Sequence, residues 1–169
     1  LVEKIALAEL VAFTGQIEHL MRLVLDRSTF GPRDRGSQVA IHPFVFIHDK
    51  TLGPAQSTWI KALRKRLTSN DFRQRAEVLA TRIEGHINGR NHFLHAVYAH
   101  FPMDGGRATG LLMSVAEHAR GLPGPVMARR TKTSELRPVE EVLVVRDEAA
   151  SISAELHRLY EDMCQTDIY

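Results

Sequence analysis

Apolar side chains recur at helical spacing along most of this chain, and that periodicity constrains its fold more than any other feature. Over residues 2 to 26 they fall at Ile5, Leu7, Ala8, Leu10, Val11, Ile17, Leu20, Met21, Val24 and Leu25, which predicts one long helix with a sticky face. The same period returns from about Glu140 to Gln165, through Val142, Leu143, Ile152, Leu156, Leu159 and Tyr160. Two more helices are predicted between these. Pro54 suits a first helical turn, where its missing N–H costs nothing, and Ser57 to Leu67 continues with Trp59, Ile60, Leu63 and Leu67. Ser69-Asn70-Asp71 then caps a helix running from Phe72 through Val78, Leu79, Ile83, Ile87, Phe93, Leu94 and Val97 to about His100. Amphipathic helices of this length must bury their apolar faces against one another. The expected fold class is all-α: a helical bundle of four to five helices with a small β-hairpin or irregular insert.

The breaks in the pattern place the connections. Phe30-Gly31-Pro32 and Arg35-Gly36-Ser37 are loop signals, and Val39 to Ile47 is a short apolar run around Pro43, so residues 27–50 read as a long connection. After Pro102, Asp104-Gly105-Gly106 marks a turn, and Gly110 to Glu117 with Val126 to Lys132 predicts a hairpin. Gly15 interrupts the first helix, either as a tolerated glycine or as a point of close contact. Gly85 and Gly89 stand one turn apart on the third helix. Each costs a helix about 1 kcal/mol relative to alanine, so both are expected to meet a close neighbour. At 169 residues the chain is expected to form a single domain, 1–169, with its own core.

Composition excludes several classes of function. Apolar residues make up 44% and charged residues 25%, the balance of a globular protein rather than a disordered one. One cysteine, Cys164, leaves no intrachain disulfide and no cysteine-rich zinc site. No apolar run approaches the ~20 residues of a membrane span, and Leu1 to Leu7 carries Glu3 and Lys4 and lacks a leader pattern. No membrane association is expected, and a reducing cytoplasm is the expected location. The net charge of +2 and pI near 8.9 permit a polyanionic partner without requiring one.

The chemistry concentrates in Arg90-Asn91-His92-Phe93-Leu94-His95, predicted to lie on the longest helix. A guanidinium forks onto phosphate oxygens, and an imidazole titrates near neutrality and moves protons. On a helix, Asn91 and His95 share a face at i,i+4. Arg90 and His95 stand roughly 140° apart and ~7.5 Å along the axis, a gap that a long arginine can swing across. Asn91 is expected to hydrogen-bond the His95 ring and fix its tautomer, while Phe93, Leu94 and Val97 face the core.

Arg90-Asn91-x-x-x-His95 resembles the signature of the HEPN superfamily, whose members are compact helical bundles carrying an arginine, a polar residue and a histidine a few positions later. Ala96 stands where the family usually has glycine, and Tyr98 where tryptophan is frequent. Gly15-Gln16-Ile17-Glu18 is similar to the opening helix of bacterial members. The resemblance implies a metal-independent endoribonuclease that cleaves RNA by 2′-hydroxyl attack at a site formed across a homodimer. It implies His95 as acid and base, Arg90 as phosphate clamp and Asn91 as orienter. It also implies, by family likeness only, an antitoxin partner. A non-catalytic helical module that binds a nucleotide, RNA or a partner protein is the alternative.

Other residues support this site or compete with it. Glu18 is either a buried acid facing Arg90 or His95, or an exposed residue. Tyr98 either stacks a base or covers the core. Lys61, Arg64, Lys65 and Arg66 either guide an RNA backbone or form a solvated helix face, and Arg129, Arg130 and Lys132 form a second basic cluster. No cofactor and no metal are expected. His86, His92, His95 and His100 share one predicted helix, but His92 and His95 would need a third ligand, such as His19, to hold an ion.

Overall fold

The computed structural model describes residues 2–30, 52–99, 126–129 and 132–166. Helix α1 spans Val2–Phe30, α2 Leu52–Arg66 and α3 Asn70–Leu94. Three strands follow, β1 Ala96–Ala99, β2 Val126–Arg129 and β3 Lys132–Pro138, and α4 spans Glu141–Gln165. The described residues thus form four helices and a small antiparallel sheet, the all-α class with a small β insert that the periodicity predicted. The longest helix is α1, at 29 residues, rather than the one carrying the motif. The expected loop at residues 27–50 begins later than predicted, because α1 runs on to Phe30; the remainder lies outside the described residues.

The chain divides into two compact units, one of Leu1–Leu10 and Asn88–Asp147, the other of Val11–Ile87 and Glu148–Tyr169. The second is a four-helix unit. Its core holds Ile17, Met21, Val24, Trp59, Leu63, Leu67, Ile83, Ile152, Leu156 and Leu159, all essentially inaccessible to solvent. Each such side chain contributes about 1.5–3 kcal/mol by leaving water. Polar ties then fix which helix packs on which. Gln56 Nε2 of α2 donates to the Ala80 carbonyl of α3 at 2.9 Å. Ser153 of α4 donates to Gln16 Oε1 of α1 at 3.1 Å, and Arg27 Nε donates to the Met163 carbonyl at 2.9 Å. The last two pairs advance together along both helices, so α1 and α4 run parallel in this unit.

Local chemistry sets the helix ends. The Ser69 hydroxyl accepts the Phe72 N–H at 3.4 Å and its carbonyl accepts the Arg73 N–H at 3.1 Å, which is the N-cap predicted for Ser69-Asn70-Asp71. At the start of α4, Val142 and Leu143 bond back to Val139 and Glu140, each at 3.0 Å.

The sheet-bearing unit corrects one expectation. Helix α3 stops at Leu94, and residues 96–99 form β1 instead of continuing to His100. Val97 and Tyr98 are β-branched and aromatic, types that suit a pleated ladder. Their backbone pairs with β2, Val97 opposite Ala128 and Tyr98 opposite Met127. Of the expected hairpin, Gly110–Glu117 lies outside the described residues, and the strand at Val126 has β1 and β3 as its neighbours, in a sheet ordered β1-β2-β3. Met127 lies opposite Arg137 of β3, with an irregularity at Ala128/Arg129. Pro138 ends β3, opposite Val126 of β2.

Candidate functional site

Arg90 and Asn91 occupy the last turns of α3, and His95 is the single residue between that helix and β1. The His95 N–H still donates to the Asn91 carbonyl at 3.3 Å. The i,i+4 relation therefore survives although the helix ends here. His95 is exposed, whereas Arg90 and Asn91 are partly buried. Among the described residues no hydrogen bond joins the Asn91 amide to the His95 ring, so the expected orienting contact gives way to a backbone one.

The position of Arg90 follows from the register of α3. Phe72, Ala76, Leu79, Ile83, His86 and Phe93 are buried, and their alternating steps of four and three residues define the inward stripe. Extending the steps past His86 lands on Arg90. Its Nε is fully buried and has no hydrogen-bond partner among the described residues, and no acid there pairs with its guanidinium. Leaving a charged donor unsatisfied costs of order 1–3 kcal/mol. A ligand with oxygens to offer would relieve that cost.

His92 does different work from His95. It is 3% exposed, and its Nε2 lies 3.2 Å from the Met127 carbonyl of β2. Because the partner is a carbonyl, Nε2 must carry the proton and donate. The ring also meets Phe93 edge to face, with centroids 5.2 Å apart and planes at 75°, a favoured aromatic geometry. His92 thereby fastens the last turn of α3 to the central strand and holds in place the joint that presents His95. His86 is likewise buried, with Nε2 3.5 Å from Thr14 Oγ1. The two histidines of α3 are therefore interior, and His95, one residue past its end, is exposed. Among the described residues no three His, Cys, Asp or Glu side chains stand close enough to hold a metal.

The glycines before the motif differ. A Cβ on Gly89 would meet the Val145 side chain at 3.1 and 3.3 Å, whereas one on Gly85 or Gly15 would meet nothing within 4 Å. The expected close neighbour exists for Gly89 alone, and it is a side chain rather than a backbone. Gly15 is a tolerated glycine.

The remaining candidates lie elsewhere. Tyr98 is in β1. Glu18 belongs to the four-helix unit, is partly exposed, and makes no ion pair among the described residues. Lys61, Arg64, Lys65 and Arg66 are exposed at the end of α2, and Arg64 pairs with Glu77 at 2.9 Å. Of the second basic cluster, Arg129 ends β2 and Lys132 begins β3, while Arg130 lies outside the described residues. A groove of about 740 Å³ in the four-helix unit is lined by Phe13, Gly15, Gln16, His19, Ser153 and His157 among others, and by none of the motif residues.

Sequence reasoning missed the Arg82 clamp. Arg82 Nε and Nη2 meet the two carboxylate oxygens of Glu148 at 2.9 and 3.1 Å, Nη1 meets Glu155 at 2.6 Å, and Nη2 also reaches Ser151 Oγ at 2.9 Å. The hydrogen bonds that Arg82 donates to Glu148, and then the one it donates to Glu155, hold the guanidinium above its ordinary pKa against the opposing cost of burial. The available signal was Glu148-x-x-Ser151-x-x-x-Glu155, one face of α4. No family model, curated protein or solved structure matches this chain.

Proposed function

We propose that the protein is a metal-independent endoribonuclease of the HEPN type that works in the cytoplasm as a homodimer. Arg90, Asn91 and His95 form half of its site. The observation that carries this reading is the uncommitted state of Arg90, whose Nε is buried without a partner among the described residues, one turn and a half before an exposed histidine. A phosphodiester offers the oxygens such a guanidinium lacks. Cleavage by the 2′-hydroxyl needs a base for that hydroxyl, an acid for the departing 5′-oxygen and positive charge at the phosphorane. Among the described residues of the sheet-bearing unit the imidazoles are His92 and His95, and His92 is engaged with Met127. One chain thus offers one free proton-transfer group there. A two-fold dimer with two copies of the motif in one cleft offers two. An antitoxin that masks this cleft is the partner the family resemblance adds.

The test is cleavage of an end-labelled RNA in excess chelator, with dimerisation followed by light scattering. Wild type is expected to give 2′,3′-cyclic phosphate ends, and His95→Ala to lose at least ~100-fold in rate, the usual weight of a general acid or base. Equal rates from clean preparations would sink the proposal.

A second reading, a non-catalytic module that binds a nucleotide, RNA or a partner protein, draws on the inward position of Arg90. A guanidinium on a buried stripe is well placed to hold a bound group still. Under that reading Arg90→Ala abolishes binding while wild type and His95→Ala alike show no turnover.

A further inference from the structure

Helix α2 carries Lys61, Arg64, Lys65 and Arg66 and no acidic residue from Leu52 to Arg66. The whole chain has a net charge of only +2, so this one helix concentrates a positive excess greater than that of the entire protein. Lys61, Lys65 and Arg66 are exposed and form no ion pair among the described residues. Two bonds hold the start of α3 against this end of α2. Arg64 Nε meets Glu77 Oε1 at 2.9 Å, and Arg73 Nη2 donates to the Leu67 carbonyl at 2.7 Å. Beside them runs a shallow groove of about 470 Å³ bordered by Asn70, Arg73, Gln74, Glu77, Val78 and Thr81. Arg73 Nε is fully buried there without a partner among the described residues.

We propose that this α2–α3 corner is a docking surface for the phosphate backbone of RNA. Lys61, Lys65 and Arg66 meet successive phosphates, and Asn70 and Gln74 supply hydrogen bonds to sugar and phosphate oxygens. Arg64, tied to Glu77, serves as a strut. The N-terminus of α3 adds the positive end of a 25-residue helix. A nucleic-acid backbone fits better than an anionic membrane. Val78, which borders the groove, is the one large hydrophobe exposed among the described residues of α2 and α3, and a single valine is far short of the apolar face of a membrane-binding helix. The choice of RNA as the polyanion rests on the ribonuclease reading. The location of the surface rests on the corner's own charges.

The test measures binding of a fluorescent 30-nucleotide single-stranded RNA by the full chain between 50 and 200 mM salt. The triple variant Lys61→Ala, Lys65→Ala, Arg66→Ala is expected to weaken binding at least 10-fold at 0.1 M salt. Its log–log salt slope should fall by about 2, at ~0.7 per phosphate contact on a single strand. A charge-preserving variant, Lys61→Arg with Lys65→Arg, is expected to bind as wild type does. Unchanged affinity and slope in the triple variant overturn the proposal. So does an absence of RNA binding by wild type, or a triple variant that loses binding to anionic phospholipid vesicles while keeping RNA. The two proposals fail separately. A dinucleotide cleaved in a His95-dependent way, with RNA binding indifferent to the triple change, removes the corner and keeps the nuclease. RNA binding that follows the triple change, without any cleavage, keeps the corner and removes the nuclease.

Discussion

Two arginines eight residues apart on helix α3 have opposite fates. In the four-helix unit Arg82 spends its donors on Glu148, Glu155 and Ser151. In the sheet-bearing unit Arg90 has a buried Nε that meets no partner among the described residues. The residue type is the same, and so is the helix. The difference lies in what the neighbouring elements supply. The four-helix unit brings two carboxylates of α4 to Arg82 and uses the guanidinium as a crosslink. The other unit brings to the last turns of α3 a strand carbonyl, which His92 takes, and among the described residues it brings Arg90 Nε no partner. On the reading proposed above, their partners tell an arginine committed to structure from one kept for a ligand.

Substitutions in the two units sharpen that contrast. The largest stability effect is expected from His92→Ala, which removes a buried ring, its edge-to-face contact and its bond to β2. About 2–3 kcal/mol should be lost, seen as a melting temperature lower by roughly 5–10 °C. Amide exchange should rise first in β2. An unchanged melting temperature would mean that His92 is not the fastener described above. Arg82→Ala comes next. Its ion pairs are partly exposed, at 26% for Arg82 and about 40% for each glutamate, so solvent screening limits the loss to about 1–2 kcal/mol. Because the Arg82 pKa is held above its ordinary value, the arginine side of this contribution is complete at every pH below that ordinary value. It disappears only in strong alkali, as the pH rises through the folded-state pKa. A wild-type-minus-variant difference that shrinks between pH 7 and 9 would contradict this account.

The smallest effects are expected at the two glycines. Gly85→Ala enters open space and should stabilise by about 0.5–1 kcal/mol through helix propensity alone. Gly89→Ala meets Val145 at 3.1 Å, and displacing that side chain should cancel the same gain. Chemical denaturation of both variants in parallel reads the difference. Equal stabilisation would show that Val145 yields freely.

Much of this was legible in the sequence, and the residues show where legibility ended. The four described helices follow from apolar spacing, and Ser69 announced its cap, because these signals are local. The end of α3 was not legible. Ala96-Val97-Tyr98-Ala99 prolongs an apolar run, and its strand character depends on β2, which begins some thirty residues later. Non-local pairing leaves no periodic trace. The motif was visible as residue types at a spacing, yet the burial of Arg90 needed the stripe from Phe72 to Phe93 to be carried through His86. His92 looked like one of a cluster of possible ligands. Its bond to Met127 depends on a strand the sequence had paired elsewhere.

The central claim is that Arg90 is kept for a ligand where Arg82 is spent on the fold. Arg90→Ala separates the two roles when single-turnover RNA cleavage and melting temperature are measured on the same preparation. The account predicts a cleavage rate at least ~100-fold lower with the melting temperature within about 2 °C of wild type, since no described partner is lost. A rate unchanged from wild type, together with a melting temperature several degrees lower, would make Arg90 a second Arg82 and contradict the account.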